Sequence, residues 1–205
     1  MATPTEETKK FIITREDREA AETLIALRRD IRYQVDNSME TLMIIQAWNR
    51  SEPNPRENIP NGDVDLVEPF SKPIKKQLTV SDVKKDLCRL MLGKDQVKNK
   101  TSPLLNASEI QRLTEGLNVS VYGRSEKGML VQNNMTFKMW CKGTPVLTSG
   151  WKTFAETCDL KEHCDFLHIW MFRKRDTREI CFVIQKATHS TITKPLGKEI
   201  LDQIN

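Results

Sequence analysis

Glycine is scarce, with eight residues in 205, and none occurs before Gly62. A front part without glycine agrees with helix and argues against a turn-rich sheet there. Long apolar runs are also missing. The longest uncharged one in the C-terminal half, Phe166 to Phe172, falls far short of the roughly 18 residues of a membrane span. The opening MATPTEETKK has no apolar stretch behind a basic start, so no secretory signal is expected. Five cysteines (Cys88, Cys141, Cys158, Cys164, Cys181) are odd in number and not closely paired. They read as reduced thiols of a soluble intracellular protein, and N-x-S/T matches such as Asn118-Val119-Ser120 read as chance. There is no phosphate-cradling glycine loop, no internal repeat and no low-complexity tract.

What is present is uneven. The formal net charge is +4, but residues 1–71 hold 9 basic and 14 acidic side chains, net −5, and residues 72–205 hold 23 and 14, net +9. An acidic front and a basic back indicate two functional parts, the back half suited to a polyanion. From Arg15 to Trp48 apolar residues recur at Ala20, Leu24, Leu27, Ile31, Val35, Met39, Leu42 and Ile45, the spacing of one helical face. Thr14 is the expected N-cap with Asp17 in the capping-box position, and Asp36-Asn37-Ser38 is the expected break into two helices. This helical segment, 1–50, packs on the rest of the chain or binds a partner, or a second copy, through residues 15–48. Residues 51–73 carry five prolines and no apolar period, so a linker is expected there.

Beyond Pro73 the period becomes alternating. Ile74, Leu78 and Val80 begin one β-like stretch and Leu90 to Leu92 form another after a basic loop, with a short helix at Lys94 to Lys98. Asn106 and Glu109 mark a capped helix ending at Gly116. Further strands are read at Leu117–Val121, around Phe137 and Met139, and at Pro145–Thr148, Phe166–Phe172 and Ile180–Ile184, with Gly123, Gly128, Gly143 and Gly150 at the turns. The expected fold is mainly β with helices (α+β). It is a closed or half-closed barrel of about seven strands over residues 74–188, followed by a tail at 189–205.

Chemistry finds little footing. Cys158, His163, Cys164 and His168 are close in sequence but lack zinc spacing, since no C-x2-C pair occurs and adjacent His163-Cys164 would face opposite sides of a strand. His168, in an alternating run, reads as a strand position facing polar surroundings. No motif places a Cys/His nucleophile. No catalysis, metal, cofactor or small-molecule substrate is expected. Nucleic acid fits better: residues 72–100 hold nine basic residues against Asp82, Asp86 and Asp95, on a strand–loop–strand unit rather than a tail. The loop Lys84-Lys85-Asp86-Leu87-Cys88-Arg89 can offer lysines to phosphates and arginine to a guanine edge.

The segment LTVSDVKKDLCRLMLGKDQV resembles the opening of the plant B3 DNA-binding domain: a strand, a Ser-Asp-Val turn, a basic arm, then Arg and an apolar strand followed by a basic residue. Downstream, Trp140 resembles the start of that domain's other arm, and Val146-Leu147-Thr148-Ser149-Gly150-Trp151 its V-L-x-x-G-W signature. Leu160 with Asp165 is similar to its L-x-x-G-D turn. The Trp170-Met171-Phe172-Arg173 ending and the helix at 106–116 are most similar to a divergent plant branch of the family, formerly catalogued as a domain of unknown function.

The resemblance implies a seven-stranded open β-pseudobarrel that grips the DNA major groove between two arms. The first arm maps to Lys84–Arg89 and the second to Trp140–Thr144. DNA contacts are expected from Lys84, Lys85, Arg89, Lys94, Trp140, Lys142 and Thr144, with Arg89 on a base edge and Lys84, Lys85 and Lys142 on phosphates. Trp151 and Phe154 are expected in the core. The resemblance implies a nuclear protein binding double-stranded DNA in transcriptional regulation, sequence-specifically or semi-specifically. The alternative is an interaction module of the same fold with weak or lost DNA binding and a partner on the N-terminal helices. A single-strand-binding barrel would need exposed aromatic platforms, for which Trp140 is the one well-placed residue. Gly93 stands where the family has proline, Cys141-Lys142-Gly143 where it has polar base readers, and Cys164 at its turn glycine.

Overall fold

The computed structural model describes residues 35–60, 69–140 and 143–204. The chain divides into two compact units, Met1–Val35 and Asp36–Asn205, and the elements named below belong to the second. The helix expected from Arg15, its cap Thr14 and Asp17 lie outside the described residues.

Apolar alternation produces seven strands: β1 (Ile74–Gln77), β2 (Arg89–Met91), β3 (Leu117–Arg124), β4 (Leu130–Trp140), β5 (Thr144–Thr148), β6 (Asp165–Arg173) and β7 (Ile180–Thr188). They form one curled, open half-barrel sheet in the order β1-β6-β7-β3-β4-β5-β2. All neighbours are antiparallel except β3 and β7, which run parallel with Ser120 opposite Cys181 and Tyr122 opposite Val183. The inner face buries Leu90, Val119, Val121, Phe137, Leu147, Leu167, Ile169, Phe182 and Ile184 in one core. Val80, expected to continue a strand, opens a helical turn, because Asp82, three residues after Thr79, caps the Thr79 backbone N–H.

The helices are α1 (Met39–Arg50), α2 (Val80–Val83), α3 (Lys94–Gln96, continued by a π-turn over Val97–Thr101), α4 (Ala107–Arg112), α5 (Trp151–Thr157) and α6 (Lys198–Leu201). α5 plugs one end of the half-barrel. Trp151 is 1% exposed and its Nε1 donates to the Asp82 carbonyl at 2.6 Å, while Phe154 lies over Gly123, where an added Cβ would come within 2.6 Å of its ring. No helix among the described residues is long and apolar enough to cross a membrane.

The end strands β1 and β2 are not paired to each other, and side chains bridge them instead. The Gln96 carboxamide accepts from Lys75 N at 2.8 Å and donates to Lys75 O at 2.9 Å, as a neighbouring strand would. The Asp82 carboxylate accepts from Met91 N at 3.1 Å and ion-pairs with Lys76 at 2.9 Å. Edge backbone groups occupied in this way offer no template for another chain.

The outer face of the sheet is covered over β1, β6 and β7, and the covering corrects three expectations. Within the expected linker, residues 55–58 form a 3-10 turn and Asn58 Nδ2 donates to Gln185. Ile59 is buried with Tyr122, Trp170, Phe172 and Val183, and the Ser71 N–H donates to the Met171 carbonyl. Proline rigidity therefore serves a strap rather than a free linker in the described parts of 51–73. The expected tail at 189–205 is folded as well: Ile192, Leu196, Ile200 and Ile204 bury against Ile45 and Trp48 of α1 and against Phe166 of β6. Residues 39–50 of the expected N-terminal helical segment are therefore part of the barrel unit. Asp36 and Leu196 form a parallel bridge, and Gln77 of β1 accepts from the Leu196 N–H.

Candidate nucleic-acid interface

The strap and the C-terminal segment leave one part of the outer face open. Register places Arg89 and Met91 of β2, Thr144, Val146 and Thr148 of β5, and Thr136, Lys138 and Trp140 of β4 on that face. Val146 is buried, Trp140 is exposed, and the others are half-buried. Farther along, Asn118, Asn134, Thr136, Ser149 and Glu179 line a groove of about 460 Å³.

The first arm leaves α2 at Lys84 and returns through Cys88, whose backbone is left-handed at φ 45°. A turn closes it, with Leu87 N donating to Lys84 O at 3.0 Å, and Thr148 Oγ1 ties the Cys88 carbonyl to β5 at 3.2 Å. Lys84 and Lys85 are exposed, and Lys85 lies 3.7 Å from Glu156 of α5. Arg89 is not on the loop but opens β2. Its guanidinium stacks on the Trp140 ring at 4.9 Å and Nη2 donates to Met91 Sδ at 3.5 Å, while Nε and Nη1 are buried without a hydrogen bond.

The second arm joins β4 to β5. Trp140 pairs with Thr144 across the turn, and Gly143 takes φ 71°, a conformation glycine adopts without strain. Lys94, at the start of α3, stands beside this turn: its Nζ is 3.4 Å from where a side chain on Gly143 would begin. Lys142 and Cys141 lie outside the described residues. The structure thus brings Arg89 to Trp140 and Lys94 to the Gly143–Thr144 turn, and leaves Lys84 and Lys85 on the opposite arm. Lys138 and Met91 share the open face and were missed. Their signal was the polar half of the β4 alternation and the position two residues after Arg89.

The sulfur and imidazole groups stand apart from this face. His168 corrects the expectation of polar surroundings, because it is wedged between Trp48 and Trp170 at ring separations of 4.5 and 5.5 Å. Burial, opposed by Lys186, pushes the Cys158 thiol up to about 11, which keeps it protonated at neutral pH. The described cysteines form no disulfide.

A family model for "B3 domain-containing protein At2g31720-like" matches residues 65–188, more than half of the chain. The chain belongs to the B3 domain family. Among curated B3 relatives from Arabidopsis thaliana, At4g03170 is 50% identical over 150 residues, covering 73% of this chain and 57% of that protein. At4g03160 is 47% identical over 131 residues, covering 64% of this chain and 65% of that one. At1g20600 is 46% identical over 133 residues, covering 64% and 53%. The chain therefore spans between about half and two thirds of the length of these B3 proteins. A solved Arabidopsis FUS3–DNA complex aligns with TM-score 0.39 and 22% identity over 57% of this chain and 96% of that chain. The Arabidopsis thaliana LEC2–DNA complex aligns with TM-score 0.38 and 17% identity over 60% and 98%.

Proposed function

We propose that this B3 barrel binds double-stranded DNA across its open outer face, without catalysis, as a nuclear regulator of transcription. The observation that carries the reading is the contact of Arg89 of β2 with Trp140 of β4, with Lys94 beside the Gly143 turn and Lys84 and Lys85 exposed on the first arm. Arg89 is the side chain on this face that carries a planar fork of donors, the geometry that pairs with the O6/N7 edge of guanine. Lys84, Lys85, Lys94 and Lys142 are the proposed phosphate contacts, and Thr144 a hydroxyl donor beside them. Membership of the B3 domain family supports duplex DNA as the partner.

The test is fluorescence anisotropy with duplex DNA over a salt series. Lys84→Ala and Lys94→Ala should each weaken binding to all sequences alike and flatten the log–log salt slope by roughly 0.9 per lost contact. Arg89→Lys keeps the charge but loses the fork, so preference for a selected site over random duplex should collapse while nonspecific binding persists. Wild-type slopes and wild-type preference in these variants would remove the arms from DNA. A chain that binds no duplex even at low salt would leave the interaction-module reading, for which Met39 and Met43 are exposed apolar side chains on α1.

A further inference from the structure

Leu87 is an apolar side chain that the core does not use. It is 38% exposed on the first arm, between the exposed lysines Lys84 and Lys85 and the stacked Arg89. Its turn is fixed on both sides. Leu87 N donates to Lys84 O, the Cys88 thiol donates to Lys85 O at 3.0 Å, and the Cys88 carbonyl accepts from Thr148. A lone exposed leucine calls for no explanation. A second apolar side chain is exposed on the other arm: Trp140 is 40% exposed under the Arg89 guanidinium, which Met91 touches through its sulfur. Apolar side chains exposed among cations on the two arms suit an occupant that is both polyanionic and locally apolar.

A duplex meets both conditions at one kind of position. Its phosphates suit the lysines, and the C5-methyl of thymine is the apolar group it presents in the major groove. We infer that Leu87 of the first arm and Trp140 of the second read thymine methyl groups near the base edge taken by Arg89, so that sequence preference here is set largely by apolar contact. The inference rests on the DNA-binding reading above and deepens it by naming what is read.

The test uses the full chain and one chemical change. A preferred duplex is selected from a random pool, and each thymine in it is replaced in turn by deoxyuridine, which deletes the methyl group and leaves base pairing intact. At least one position should weaken binding about fourfold, the effect of one buried methyl group. Leu87→Ala or Trp140→Ala should no longer distinguish thymine from uracil at that position, whereas Leu87→Met should. An unchanged unfolding midpoint in each variant separates reading from folding. Neutral replacement at every thymine overturns the inference, as does a uracil penalty that survives both alanine variants. Sequence-independent duplex binding also overturns it while leaving the DNA-binding reading in place. Absence of any duplex binding removes both.

Discussion

His168 shows how a single residue couples this fold to pH. Burial between two indoles depresses its pKa to about 4, and the nearby Lys75 and Lys100 charges push the same way. The folded protein holds the imidazole neutral, whereas the unfolded chain protonates it near its ordinary value. Stability is therefore complete above about pH 6.5 and falls as pH drops toward 4, by an amount on the order of 3 kcal/mol. His189, lowered by burial, acts in the same direction. Urea unfolding at pH 7.5 and 5.0 should show about 2 kcal/mol of this loss, and His168→Phe should remove most of it. Trp151 is a second residue with a definite expectation. Truncation to alanine should cost about 3–5 kcal/mol, and Trp151→Phe less, because phenylalanine fills the space but leaves the Asp82 carbonyl without its donor. Both are read as shifts of the denaturant midpoint.

Local chemistry made most elements legible in the sequence. A helix does start directly after Asp36–Ser38, with the Ser38 hydroxyl accepting from Thr41 N at 3.1 Å at the head of α1. The Asn106/Glu109 pair forms a capping box on α4, and the alternating runs became β3, β4 and β6. The two outer straps were not legible, because each contributes only a few apolar residues to a surface made elsewhere in the chain. The C-terminal strap did carry a signal in the four-residue spacing of Ile192, Leu196, Ile200 and Ile204, which a search for longer helices passes over. That strap should be structural. Leu196→Ala or Ile200→Ala should each cost about 2–5 kcal/mol of unfolding free energy, and deleting residues 190–204 should red-shift tryptophan emission as Trp48 is uncovered.

Over the whole molecule, the site divides into a legible and an illegible half. Lys84 and Lys85 could be placed on a loop from local sequence alone. The contact of Arg89 with Trp140 could not, because the two are joined only through β5, which pairs with both β2 and β4. The same non-local wiring governs how the protein must be made. β1 waits for β6, with Ile74 opposite Ile169, a gap of roughly 95 residues that a ribosome crosses in about 5–20 s. Even then Trp48 and Phe166 stay bare until residues 192–204 emerge to cover them. Throughout synthesis the nascent chain carries an uncovered aromatic patch, a natural point of attachment for chaperones, and a premature stop codon before Ile192 would leave that patch permanently open to degradation machinery.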